Sequence, residues 1–456
     1  MAVEYGVAPL ELGLTREFSE FCSNLKFDDL PREVIEEAKR GILDWLGCAI
    51  AASDNPRIGS LIKTLMEFSS NSGVTVIGQK DEFGPLESAL INGQMGHFYD
   101  YDDTHMGGVV LHTSSPVLAA ILSLGEKKRK TGKDIILAYV LGFEAGVRIG
   151  QTAPSHHDGG WHLTGTLGTI AAGVASASLL KLDPEKTTFA LGLSATQAAG
   201  MQQNRGTMSK SFHAGRAASN GILAALMASS GYDSSDEIVE GRRGFSKIYS
   251  KTQNYDFLTK SLGIDWVILT NGYKPYACGI VQHPLIDAMI MASKNTNIPH
   301  NEIEAVDALI HPHTITITGV EDPKTGLKSK FSLKHSAAVG YIDRHAGLSQ
   351  YSDARAVAQD VASLRRKINP VPKDNFRKDQ CEVRVKYKNG NIETVNVEHA
   401  LGTTKNPVSS DFLVDKFLAN ADGKSLRSKP KEIVEAIWNL EDLPDIAKLM
   451  SLAKGT

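Results

Sequence analysis

The sequence predicts a mainly α protein, with a large all-α helical domain plus a smaller α+β domain. Three observations carry this. From Thr15 to Gly231 apolar residues recur at three- and four-residue steps. After about Asp265 the texture turns to β-branched alternation and a hairpin signal. A chain of 456 residues is also too long to share one hydrophobic core. The expected division is 1–267 for the helical domain, 268–405 for the α+β domain, and 406–456 for C-terminal helices returning to the first.

In chain order, Glu33–Ile50 places Val34, Ile35, Ala38, Ile42, Leu46 and Ala49 on one stripe behind Pro31, an initial-turn residue. Similar stripes run through Leu86–Tyr99, Ser115–Lys128, Lys133–Gly150, Pro184–Ala199 and Gly215–Ser230. Runs such as AAGVASAS and GRAASNGILAALMASSG are rich in small residues, which lets helix backbones approach closely and suits helices buried on several sides. Leu163–Leu180 holds 18 residues without a charge. Its Thr, Gly and Ser content reads as a buried soluble helix rather than a membrane span. In the second region Ala305–Gly319 alternates as a strand, and CEVRVKY and IETVNV flank Asn389-Gly390, a strong hairpin signal. Helical stretches at Pro284–Lys294 and Ser336–Gly347 fall among these strands, and the tail from Ser409 is helical again. No fixed-period repeat and no low-complexity tract interrupts the chain.

Composition removes several classes of function. With 49 Lys+Arg against 52 Asp+Glu the net charge is −3, which excludes a wholly basic nucleic-acid binder but not a local cationic pocket. Cys22, Cys48, Cys278 and Cys381 form no CxxC pair, so a disulfide-stapled secreted protein, a zinc ribbon and a thiolate-held iron–sulfur cluster are not expected. The N-terminus lacks a basic stretch followed by an apolar one, so no signal peptide is expected and the placement reads as cytoplasmic.

Four polar blocks can carry chemistry. The densest runs from His97 through Asp100, Asp102, Asp103, Thr104 and His105, and closes at His112. Capping of the next helix explains one or two of its acids, not the whole cluster. The second, His156-His157-Asp158-Gly-Gly-Trp161-His162, precedes the uncharged helix. An imidazole there meets the positive end of the helix dipole, which favours its neutral, basic form. The third, Arg205 to Arg216 with Lys210 and His213, reads equally as a carboxylate clamp or as a solvated basic loop, and lacks P-loop spacing. The fourth, Lys274-Pro-Tyr-Ala-Cys-Gly279 followed by His283, sits where the texture changes. A lysine among aromatics there is either an acid–base group or a snorkelling interface lysine. Asp100-Tyr-Asp102-Asp103 matches the DxDD acid of terpene cyclases, but with 7% aromatic residues the chain has little to line a carbocation pocket. His311 and His313, two apart on the expected strand, have the spacing of metal ligands. No third ligand accompanies them, so they read as solvent-facing strand residues.

In order and spacing, GHFYDYDDTH with His112-Thr-Ser-Ser-Pro, GWHLTGTLGTIAAG, GTMSKSFHAGRAASNGILAA, the Glu240–Phe245 run and KPYACG resemble the MmgE/PrpD family. That family includes 2-methylcitrate dehydratases, cis-aconitate decarboxylases and an iminodisuccinate epimerase. The resemblance covers nearly the whole chain. It implies a helical domain, a smaller α+β domain, a homodimer, a pocket between the domains that works without metal or cofactor, and a small polycarboxylate substrate. It gives no role to nucleic acid or membrane. Matched block by block, it implies Asp100, His112, His162 and Lys274 as catalytic residues, with Thr104 and Lys210 holding carboxylates. His335 is a looser match to a substrate-binding position. One imidazole abstracts a proton next to a carboxylate, Lys274 delivers one, and Asp100 orients an imidazole. The decarboxylase branch carries a histidine where this chain has Gly279. That departure counts against decarboxylation. Dehydration of a 2-methylcitrate-like tricarboxylate is the first reading because that activity is common in the family. Epimerisation of an iminodisuccinate-like dicarboxylate, helped by the departure, is next, and a silent helical interaction protein is the reading from another class.

Overall fold

The computed structural model describes residues 13–69 and 72–456. The N-terminal reading rests largely on residues 1–12, which lie outside the described residues. The chain is 57% helical and 10% strand, mainly α with a smaller α+β part. Its contacts divide it into two units. One comprises Met1–Phe98, Asp102–Asn271 and Ser410–Thr456, the other Tyr99–Tyr101 and Gly272–Ser409.

The longer helices of the first unit are α1 Leu14–Asn24, α2 Arg32–Ala52, α3 Pro56–Met66, α4 Pro85–His97, α5 Ser114–Lys128, α6 Gly132–Thr152, α7 Leu163–Leu179, α8 Pro184–Ala195 and α9 Met208–Ser229. Their ends follow local rules. The Asn55 and Asp183 side chains accept from the first turns of α3 and α8, and Thr131 and Asp134 form a reciprocal cap on α6. Helix α7 carries no charge because it is buried throughout, except at Ser178. Among the described residues no helix is long and apolar enough to cross a membrane.

Small residues let these helices meet backbone to backbone. A Cβ on Gly215 of α9 would lie 2.0 Å from the Leu90 carbonyl oxygen of α4, and one on Gly93 would lie 2.8 Å from the Gly215 Cα. A backbone atom cannot swing aside as a side chain can. We therefore expect Gly215→Val to lower stability by about 3 kcal/mol, the upper end of ordinary overpacking. A drop in the urea midpoint relative to the parent checks this, and an unchanged midpoint would show that α4 and α9 can part.

In the second unit α10 (His283–Thr296) and α11 (Leu333–Asp343) accompany a four-stranded sheet of β1 Ile303–Ile310, β2 Ile368–Pro372, β3 Cys381–Tyr387 and β4 Ile392–Val397. The spatial order is β2-β1-β3-β4. Strand β1 runs parallel to β2 and antiparallel to β3, with Val306 opposite both Ile368 and Val385. Cys381, Val383, Val385 and Tyr387 alternate inward along β3, and Gly390 makes the expected hairpin turn at φ 88°.

Two expectations about local structure are corrected. The strand expected over Ala305–Gly319 ends at Ile310, and Pro312–Ile317 is a short helix. Pro312 fixes the first helical φ, and the His311 ring accepts a hydrogen bond from the His313 backbone N–H at 3.0 Å. The two histidines are therefore cap and first turn, not neighbours on a strand face. The helix expected from Gly215 begins at Met208, so Lys210 and His213 ride on the first turns of α9 rather than on a loop.

The tail returns to the helical unit through α12 (Ser410–Ala421) and α13 (Pro430–Trp438). Lys416 of α12 meets Asp44 of α2 at 2.7 Å, both side chains almost completely buried. All four cysteines are buried and free.

Candidate active site

In the helical unit an antiparallel bridge between His105 and Leu111, with the His105 N–H on the Leu111 carbonyl at 2.9 Å, folds the first polar block back on itself. This sets His112 against Thr104. The His112 Nδ1 lies 2.9 Å from the Asp103 carbonyl oxygen and 3.2 Å from the Thr104 hydroxyl. A carbonyl only accepts, so Nδ1 carries the hydrogen and Nε2 holds the lone pair of the neutral ring. His97, at the end of α4, donates from Nδ1 to Asp102, whose two oxygens are each 3.0 Å away. Asp102 also accepts from the Ser115 hydroxyl at 2.7 Å, so this carboxylate joins α4 to the start of α5. The His97 and His112 ring centroids are 4.5 Å apart.

The adjacent Asp103 is different. It accepts from the Ser114 hydroxyl and the Asn271 amide, each at 2.5 Å. Burial, with Asp44 and Asp102 nearby, raises its carboxyl well above the usual range. His105 is held by the Val109 carbonyl and Thr270, and burial lowers it to about 4. It is a packing residue.

His162 opens α7, its N–H on the Gly200 carbonyl at 3.0 Å. The 199–200 loop approaches so closely that a Cβ on Gly165 would lie 2.3 Å from the Ala199 oxygen. The His162 ring stacks on His97 at 5.5 Å, and its Nδ1 lies 2.9 Å from the Nδ1 of His213 on α9. Burial first, then the charge of Lys210 and the neighbouring imidazoles, depress His162 well below its ordinary value. The same causes lower His213 to about 4. Both rings are neutral at physiological pH, as the placement of His162 at a helix start predicts. Lys210 stands on the first turn of α9, where the dipole disfavours a cation, and neither α7 nor α9 has an acid in its first turn. Two helix starts without acids plus an ammonium favour anions.

In the small unit Lys274 donates to the Asp100 carboxylate at 2.8 Å and to the Asp100 carbonyl at 3.0 Å, with the lysine side chain 2% exposed. Asp100 adopts a left-handed backbone, φ 54°, which turns both oxygens toward one ammonium. Here Asp100 partners a lysine, while the carboxylate on an imidazole in the helical unit is Asp102. Lys330, which the sequence did not single out, donates to the Tyr99 carbonyl at 2.5 Å and to the Ala277 carbonyl, and sits over the Tyr351 ring.

His335 is completely buried; its Nε2–H is given to the Gln350 carbonyl at 2.8 Å, and its ring lies against Tyr351. Burial lowers it to about 4. The unfolded chain takes up this proton near 6.5, so the stability from keeping the ring neutral is complete above 6.5 and is lost as pH falls toward 4. Between pH 7 and pH 4 the parent should lose about 3 kcal/mol more stability than His335→Gln. Parallel urea titrations at the two pH values read this double difference, which cancels every other titrating group. Equal losses would show that the ring reaches solvent or a charged partner.

Of the expected residues, the structure brings Thr104, His112 and His162 into one helical unit with Lys210, and Asp100 and Lys274 into the other. His97, Asp102 and His213 were inside the polar blocks but not chosen. Their partners, not their spacing, reveal them. His97, Asp102 and His112 also offer ligand atoms within 4.8 Å of one another, a donor set able to hold a divalent cation.

Comparison with known proteins shows the family to which this fold and this group of residues belong. The MmgE/PrpD N-terminal domain matches residues 16–258 and the MmgE/PrpD C-terminal domain residues 276–442. The chain belongs to the MmgE/PrpD family. It is 30% identical to a cis-aconitate decarboxylase of Aspergillus terreus, across 96% of both chains. It is 27% identical to a cis-aconitate decarboxylase-like protein of Aspergillus oryzae, across 98% of both. A human cis-aconitate decarboxylase is 26% identical, over 97% of this chain and 95% of its own length.

Proposed function

We propose that the chain is a lyase acting on a small tricarboxylate, and that its reaction is decarboxylation of a cis-aconitate-type substrate. The end-to-end similarity to relatives named for that activity carries this reading. It reverses the order that the Gly279 departure suggests, since one position weighs less than similarity along 96% of the chain. Dehydration of a 2-methylcitrate-like substrate becomes the second reading, and epimerisation the third.

In the proposed reaction the bond between the methylene carbon and its carboxylate breaks and carbon dioxide leaves. The electron pair moves across the double bond to the carbon beside a retained carboxylate, and a proton adds there, giving a 2-methylenesuccinate. The substrate's remaining charge needs cations and hydrogen-bond donors, and the new carbanion needs an acid. Lys210 and the starts of α7 and α9 hold carboxylates. His112, with its tautomer fixed by the Asp103 carbonyl, and the neutral His162 make hydrogen bonds to them without adding or removing a unit charge. Lys274, held by Asp100, delivers the proton. No step calls for a metal, so EDTA should leave turnover unchanged; loss that zinc or magnesium restores would give His97, Asp102 and His112 to an ion. Homodimeric assembly and a cytoplasmic placement belong to the same proposal, and a mass of 49.2 kDa in light scattering would contradict the dimer.

The test is NMR in D2O with three substrates offered separately. Cis-aconitate should give carbon dioxide and 2-methylenesuccinate with one deuterium at the protonated carbon. Water loss from 2-methylcitrate without carbon dioxide from cis-aconitate would establish the dehydratase instead, and deuterium uptake by iminodisuccinate alone the epimerase.

A further inference from the structure

The small unit contains a cavity of about 560 Å³ between the C-terminal half of α10, the end of β4 and the loop that follows it. That volume lies in the range of small-molecule sites, about 300–1,000 Å³. Its walls are apolar at Ile290, Val397 and Leu401, and Met291 is 44% exposed beside them. Its lining also includes a buried polar pair. The Tyr276 hydroxyl donates to Asp287, whose other oxygen accepts the Leu401 N–H at 2.7 Å. Burial raises the Asp287 carboxyl to about 6, and both oxygens are engaged.

The charges around this cavity are unevenly satisfied. Glu398 is paired with Arg377 at 2.8 Å, and His399 with Asp379 at 2.6 Å. Lys294 and Lys405 also line it, and neither has a carboxylate partner among the described residues. An apolar trough with two uncompensated ammonium groups is complementary to an anion with an apolar body.

We propose that this cavity is a second ligand site, taking a medium-chain organic anion whose head meets Lys294 and Lys405 and whose body lies along Ile290, Val397 and Leu401. Occupancy is coupled to Lys274 through the backbone. Leu401, in the wall, is followed by Gly402, whose carbonyl accepts the Tyr273 N–H at 2.9 Å. Tyr276 carries the hydroxyl on Asp287. The segment Tyr273–Tyr276, which bears Lys274, is thus held at both ends by the walls of the cavity. A ligand that shifts Leu401 or Tyr276 shifts the position of the lysine. The coupling rests on the role proposed for Lys274; the binding does not.

The test is isothermal calorimetry on the full chain with octanoate, octanamide and acetate. Octanoate should bind saturably at a single site. Octanamide, with the body but no charge, and acetate, with the charge but no body, should bind roughly tenfold more weakly. The double variant Lys294→Ala/Lys405→Ala should weaken octanoate by roughly tenfold and leave basal turnover unchanged. Saturating cis-aconitate should not displace octanoate, and octanoate should alter kcat in the parent but not in the double variant. Equal binding of octanamide, equal binding by the double variant, displacement by cis-aconitate, or no saturable heat would each overturn the site. An enzyme inactive on every tricarboxylate would sink the proposed function while leaving the calorimetry decisive for this one.

Discussion

Lys274→Ala should lower turnover by about 10²–10⁴-fold, the range lost when a positioned proton donor is removed. The geometry that makes this lysine a donor also makes it structural. It is buried against Asp100, and removing one member of a buried pair costs about 3–5 kcal/mol because the other charge is left uncompensated. Two further variants separate the roles. Lys274→Met with Asp100→Asn removes both charges and should recover most of the lost stability, but none of the turnover. Lys274→Arg keeps a cation beside Asp100, yet a guanidinium does not give up its proton near neutral pH. If Lys274 only holds a carboxylate, the arginine variant keeps substantial activity. If it delivers the proton, the variant binds substrate with a KM near the parent's and fails in kcat. Recovery of turnover in the double variant would remove Lys274 from the chemistry.

The helical unit was legible because its signals are local. Period, small residues and Pro or Gly punctuation place α2 and α4 through α8 to within a few residues, but they give no sign of α3 and leave Met208–Ala214 outside α9. That stretch has polar residues at its helix start, and periodicity is silent there. The His311–His313 error has a similar origin. Alternation continued past Ile310, but Pro312 removed a backbone donor and fixed a helical φ. Within the first polar block the sequence showed that acids and imidazoles gather, not which acid meets which ring. Asp102 and Asp103 are neighbours in sequence, yet one is hydrogen-bonded to His97 and the other is buried against Ser114 and Asn271. Asp100 and Lys274 are far apart in sequence and meet only in the fold. Such pairings are tertiary facts that spacing does not encode.

His162→Gln should also reduce turnover by about 10²-fold or more. A glutamine retains hydrogen-bonding ability but not the ring. The partner ring provides the sharper experiment. With Nδ1 atoms 2.9 Å apart, one of His162 and His213 must present N–H and the other a lone pair, so each fixes the other's tautomer. His213 is therefore a positioning residue for His162. His213→Phe preserves the bulk and breaks this bond. It leaves a buried nitrogen without its partner and removes one of the influences that hold His162 neutral. The expected result is a lower kcat with KM less affected, and an acid limb of the pH–rate profile moved to higher pH. The direction follows from the cause, because losing a neighbour that depresses the His162 value lets that value rise toward 6.5. His213→Asn, able to donate or accept, should restore part of kcat. A ring that merely fills space would instead give the phenylalanine variant a normal profile, and the asparagine variant the larger defect.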